Sequence, residues 1–224
     1  IGALPDGAKP GSRHIVEPRH QNGADNIQLA GLSLPQVFKS GNFWLLMFIW
    51  LLLGSTMLLV LTHIVPHATD IGISAQGAAT VLSLIGVAYI AGSLLMGAVS
   101  DRVGRKTAAI FCSLLPVGTM VWLIWAQELW MLYLFALVFG FSVGGMLTSI
   151  TALVSDTFGL RRIGTIFGLL DIGGGIGAAI GPVIGGFIFD VNGSYSVAFL
   201  IGAVTLVVMT LLIAQIRRET SSGI

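Results

Sequence analysis

Gly97-Ala98-Val99-Ser100-Asp101-Arg102-Val103-Gly104-Arg105-Lys106 joins two long apolar runs, and its reading decides the fold. Gly97 lets a neighbouring helix approach closely. Gly104 permits a tight turn, because glycine reaches positive φ at no steric cost. Arg102, Arg105 and Lys106 keep the loop in water. Asp101 sits at the C-terminus of its own helix, where the dipole disfavours an acid. It is therefore expected to face something positive, either an arginine or the N-terminus of another helix. A charged loop of this kind between apolar runs suits a chain that turns at a membrane surface.

The rest of the chain has the composition of a membrane protein. Apolar residues make up 55% and charged residues 9%, with a mean hydropathy of +0.93. A soluble domain carries roughly 25% charged residues, so most of this chain must lie in lipid. A spanning helix needs roughly 20 mostly apolar residues. Six stretches qualify, at about 42–64, 74–99, 107–126, 129–153, 163–189 and 194–216. Residues 1–41, with Pro5, Pro10, Pro18 and Pro35, read as a flexible linker in which Leu32 to Lys39 form a short surface helix; residues 217–224 are a tail. The single Cys112 reads as a small buried apolar residue. No metal-ligand spacing, cofactor motif or nucleic-acid signature is present, so neither a cofactor nor a nucleic-acid partner is expected. The start at Ile1, in polar sequence, is expected to reflect a fragment that lacks an N-terminal part.

Orientation follows from the eleven basic residues. With six spans, Lys9, Arg13, Arg19, Lys39, Arg102, Arg105, Lys106, Arg161, Arg162, Arg217 and Arg218 all fall on one side. The opposite loops hold Asp70, Glu128 and Asp190 and no Lys or Arg. The positive-inside rule places the basic side, and both termini, in the cytoplasm. Trp122, Trp125 and Trp130 cluster at one outer turn, as an interfacial aromatic belt does.

Thirty glycines exceed what soluble helices tolerate, since each costs about 1 kcal/mol against alanine. In a membrane, small residues bring helices together. The fifth span carries Gly168, Gly173, Gly174, Gly175, Gly177, Gly181, Pro182, Gly185 and Gly186, and Pro182 is expected to bend it. A dinucleotide fingerprint fits Gly173, Gly175 and Ala178 only by force, because no strand precedes it. Gly97-xxx-Asp101-xx-Gly104 recurs as Gly186-xxx-Asp190-xx-Gly193, ending the second and fifth spans on opposite sides of the membrane. That is the mark of an inverted three-plus-three repeat.

Gly-xxx-Asp-Arg-x-Gly-Arg-Lys between two spans resembles the signature loop of the major facilitator superfamily. The run Gly168, Gly177, Gly181-Pro182, Gly185-Gly186 resembles the glycine–proline motif of antiporters in that family, placed here on helix eleven. Ile1-Gly2-Ala3-Leu4-Pro5-Asp6-Gly7 and His63-Ile64-Val65-Pro66-His67-Ala68-Thr69-Asp70 with Gly72-Ile73-Ser74 are similar to the monocarboxylate and oxalate–formate branch. The resemblance implies an all-α membrane protein, helices seven to twelve of a twelve-helix fold, that works with an N-terminal six-helix half. It also implies that Gly97, Asp101, Arg102, Gly104, Arg105 and Lys106, and the cluster of Asp156 with Arg161 and Arg162, form salt bridges that gate the cytoplasmic side.

The resemblance makes spans one, two, four and five line a solute cavity, and transporter sites lie near the midplane between repeats. The polar candidates there are Ser55, Thr56, Tyr89, Ser142 and Asp171. An intramembrane acid is functional by default, so Asp171 is expected to titrate with a coupling proton or to pair with a cation from the other half; it could also reach the Arg161–Arg162 cluster. Tyr89 could donate to an anion, while Ser55, Thr56 and Ser142 could bond only their own backbones. His63, near the outer end of the first span, is a candidate for protonation.

The expected function is secondary active transport of a small organic solute, such as a monocarboxylate with a proton. A drug or metabolite antiporter is the alternative within transport, and a six-span scaffold or binding subunit the alternative outside it. No Lys or Arg lies within a span, so a carboxylate would find its cation in the other half, or the substrate is not an anion. No His-Glu-x-x-His, paired intramembrane acids or suitably placed Ser–His pair points to an enzyme.

Overall fold

The computed structural model describes residues 33–216, and every regular element in them is a helix. A short helix, α1 (Leu34–Lys39), precedes six long ones: α2 (Gly41–Asp70), α3 (Ala75–Val103), α4 (Arg105–Leu123), α5 (Leu129–Phe158), α6 (Ile163–Asn192) and α7 (Ser196–Gln215). All six are long and apolar enough to cross a membrane. Branched and aromatic side chains such as Leu94 (72% exposed), Val183 and Phe187 lie on the outer surface, where only lipid lets them stay without cost. The proposed linker motif at Ile1–Gly7, and Arg217 and Arg218, lie outside the described residues.

Helix ends have local causes. Ser40 accepts from the Asn42 N–H at the start of α2, and Ser74 from the Gly77 N–H at the start of α3. Each satisfies a donor that the first turn cannot. The first span runs six residues past the end expected from hydropathy, through Pro66 to Asp70. Pro66 removes one backbone donor only, and the Thr69 hydroxyl caps the Pro66 carbonyl at 2.8 Å.

The chain folds as two interleaved three-helix units. The first helix of each unit pairs with the second helix of the other: α2 packs most on α6, and α5 most on α3, while α4 and α7 pack on each other. Exchanging the units reproduces the same pairs. Gly104 (φ 94°) and Gly193 (φ 63°) end the second helix of each unit. These packing and turn relations are the inverted three-plus-three repeat.

Both principal pairs are glycine seams. On α6, Gly173, Gly177, Gly181 and Gly185 recur every fourth residue, which puts them on one ridge. A Cβ at Gly177 would lie 1.9 Å from the Leu51 carbonyl oxygen, and one at Gly181 2.1 Å from that of Ser55. On the other seam, a Cβ at Gly92 would meet the Phe141 carbonyl oxygen at 2.0 Å, and one at Gly144 that of Tyr89 at 2.1 Å. The contacts are backbone to backbone, so no side chain can relax to make room. Gly168 departs from the expected packing role: nothing lies within 4 Å of a Cβ built there.

Candidate functional site

The exposed surface of α6 divides into two strips. At about 100° per residue, Gly164, Gly168, Asp171, Gly175, Pro182 and Gly186 fall within roughly 60° of one another. Ile172, Ile176, Ile180, Val183 and Phe187 are exposed on the next strip round the helix, where Ile180 shares a crevice with residues of α7. The branched strip suits lipid. The small strip leaves space, since a Cβ at Gly164, Gly168 or Gly175 meets nothing within 4 Å.

Asp171 projects from the small strip and is exposed in the six-helix unit. It lies eight residues into its helix, about 12 Å from the start. Its Oδ1 accepts a hydrogen bond of 3.0 Å from the Trp50 indole Nε1–H on α2. Trp50 is held by the seam beneath it, where a Cβ at Gly174 would come within 3.0 Å of its ring. The Phe167 ring, one turn before Asp171, lies 6.1 Å from that of Trp50. Sequence reasoning missed Trp50, because only the fold shows that this indole, nine residues into α2, faces the lone acid.

The other sequence candidates do not join Asp171. Ser55 and Thr56 line a separate crevice of about 190 Å3 between α2, α6 and α7, with Ile180, Ile184 and Thr205. Ile180 of the branched strip forms part of its wall. Thr56 is 3% exposed and its hydroxyl has no protein partner. Ser142 is fully buried and donates to the Val138 carbonyl of its own helix at 2.6 Å, so it faces no cavity. Tyr89 is half-buried, with its carbonyl in the seam against Gly144. His63 lies at the far end of the α2–α6 seam, with Nε2 2.9 Å from the Pro182 carbonyl oxygen. Its ring is 5.1 Å from that of Tyr195.

At the basic end, the signature loop forms one connected unit with α5. The Arg105 guanidinium donates to Asp156 at 2.7 Å and to the Ala152 carbonyl at 2.9 Å, and lies 3.5 Å from Asp101. Asp101 therefore does face an arginine, the one a turn ahead of it. Asp156 departs from the expected grouping. Its ion pair is with Arg105 of α4, whereas Arg161 and Arg162 are exposed and form no ion pair among the described residues. The α5–α6 turn at Gly159 separates Asp156 from its sequence neighbours, and the α4–α5 packing brings Arg105 to it instead. Lys106 caps the end of α7, donating at 2.7 Å to the carbonyls of Ala214 and of Ile216. Gly97 and Gly104 flank this unit, and Arg102 points outward. No group of three or more metal-ligating side chains occurs among the described residues.

The profile of the Major Facilitator Superfamily matches residues 43–223. Monocarboxylate transporter 12-B of Danio rerio is 27% identical, over 91% of this chain and 45% of its own length. Monocarboxylate transporter 12 of Homo sapiens is 28% identical, over 69% of this chain and 31% of its length. Multidrug resistance protein MdtG of Proteus mirabilis is 33% identical over 50% of this chain and 27% of its length. The chain thus spans less than half the length of these relatives. Among solved structures, the E. coli fucose:proton symporter FucP superposes with a TM-score of 0.69 at 17% identity, over 84% of this chain and 45% of FucP. At that identity the likeness shows the fold alone.

Proposed function

This chain belongs to the Major Facilitator Superfamily, and we propose that it is the C-terminal half of a secondary active transporter that moves a small organic solute by alternating access. The single observation that carries this reading is Asp171. A carboxylate inside a membrane span is costly and is kept for function. This one is exposed on a small-residue strip and tied by Trp50 to the tightest seam of the fold. The strip is the surface on which the other six-helix half closes, with the solute between them. Asp171 then takes up a coupling proton or a positive group, and the Arg105–Asp156 pair is one of the ties that hold the basic side shut. The basic side is cytoplasmic, by the positive-inside rule, and the protein is placed in the cell membrane with both termini inside.

Two substrate readings have support. The similarity to monocarboxylate transporters favours a carboxylate moved with a proton. The similarity to multidrug resistance protein MdtG, over half of the chain, favours a drug or metabolite antiporter.

Alternating access is testable without knowing the solute. In the full-length protein with Cys112→Ser, single cysteines at Gly168 and Gly175 would be labelled by a membrane-impermeant maleimide from each side in turn. Both sites have room for the new side chain. The expected result is labelling from either side, redistributed when a pH gradient is imposed. Labelling from one side only, indifferent to gradients, would make the protein a static membrane scaffold and overturn the transport reading.

A further inference from the structure

The charge on the small strip of α6 has one sign. Among the described residues, Asp171 is the only Asp, Glu, Lys or Arg more than about one turn inside a spanning helix. Its one hydrogen-bond partner among the described residues is an indole, which carries no charge. Oδ1 is taken by Trp50, and no donor of the described residues reaches Oδ2. A carboxylate left alone in a low-dielectric site is costly, and an opposite charge relieves that cost. No Lys or Arg of the described residues is placed to supply it. Phe167, half-buried, lies one turn earlier on the same side of α6, at the spacing where helical side chains are neighbours, and its ring is 6.1 Å from that of Trp50. Carboxylate and aromatic ring together attract cations, the first by charge and the second through its π face. Gly168 and Gly175 leave open space on either side of Asp171.

We infer that the solute handled at this strip carries a protonated nitrogen, an amine or a guanidinium, which docks on the free oxygen of Asp171 beside Phe167. The inference rests on the transport reading above and narrows it. Among the described residues, a simple monocarboxylate finds only a repelling charge at this strip. A proton and an organic cation exclude one another at a single carboxylate, so acidification displaces the solute.

The test uses three probes with one frame and three charges: benzylammonium, benzyl alcohol and benzoate. Binding to the full-length protein in lipid nanodiscs would be followed calorimetrically. Benzylammonium is expected to bind more tightly than the other two. Its affinity should fall about tenfold to a hundredfold in Asp171→Asn, the cost of losing a charged hydrogen-bond partner. Asp171→Glu keeps the charge and should restore most of the affinity, which separates charge from any folding defect. Benzylammonium binding that is absent, or unchanged in Asp171→Asn, overturns the inference, and so does benzoate as the preferred probe. Asp171-dependent benzylammonium binding in a protein that fails the two-sided labelling test supports the cation site while the transport reading falls.

Discussion

The imidazole of His63 donates from Nε2 to the carbonyl oxygen of Pro182 across 2.9 Å, tying α2 to α6 near the end of their seam opposite the basic loops. A carbonyl only accepts, so Nε2 carries the proton. The ring fits because the next residue of the seam is glycine. A Cβ at Gly185 would lie 2.6 Å from His63 Cδ2 and 2.7 Å from Nε2. The glycine–proline motif therefore has two parts here: Pro182 presents the acceptor, and Gly185 makes room for the donor.

Gly185→Ala is expected to lower the thermal stability of the detergent-solubilised protein by about 1–3 kcal/mol, the usual cost of overpacking. His63→Ala in the same chain should relieve most of that loss, because residues in contact are not additive. A double-mutant cycle of melting measurements checks this. Additive losses would mean that the ring does not occupy the notch.

The seam itself makes a sharper contrast. Gly177→Ala brings a Cβ to 1.9 Å from the Leu51 carbonyl oxygen, so α2 and α6 must separate. A loss of at least about 1–3 kcal/mol is expected, or no folded protein. Gly175→Ala, two residues away, meets open space. It should be neutral or slightly stabilising, since alanine is the better helix former by about 1 kcal/mol. Size-exclusion chromatography after heating would separate the two outcomes.

At the basic end, the Arg105 side chain is 31% exposed and that of Asp156 50% exposed. Such a pair contributes at most about 1 kcal/mol. Asp156→Asn should leave the melting temperature nearly unchanged yet raise maleimide labelling at the basic side by up to about fivefold, the population shift for 1 kcal/mol. Arg105→Ala should have the larger effect, because it also loses the bond to the Ala152 carbonyl.

The six spans and the single basic side were legible in the sequence because both depend on composition along the chain. A lipid-filling run and a cluster of Lys and Arg need no tertiary knowledge. The ends were less legible. α2 runs on through Pro66 to Asp70, α5 to Phe158 and α6 to Asn192, where helices leave the hydrocarbon and hydropathy falls silent. Pairings across helices were not legible. The sequence marks Gly173, Gly177, Gly181 and Gly185 as one ridge by their spacing, but not the carbonyls they face. It grouped Gly168 with them, although Gly168 lies on the open strip. It also grouped Asp156 with Arg161 and Arg162, which are near it in the chain, whereas packing gives it Arg105. Asp171 stood out as a lone acid, and its partner Trp50, 121 residues away, needed the fold.

The most direct measurement is solute uptake and proton movement in proteoliposomes of the full-length protein, wild type against Asp171→Asn, across a panel of radiolabelled amines and monocarboxylates. Expected is gradient-dependent transport by the wild type, with loss of transport or of its coupling to the proton gradient in Asp171→Asn. Unchanged, still proton-coupled transport in Asp171→Asn would contradict the functional role of Asp171, and with it the site built on the small-residue strip of α6.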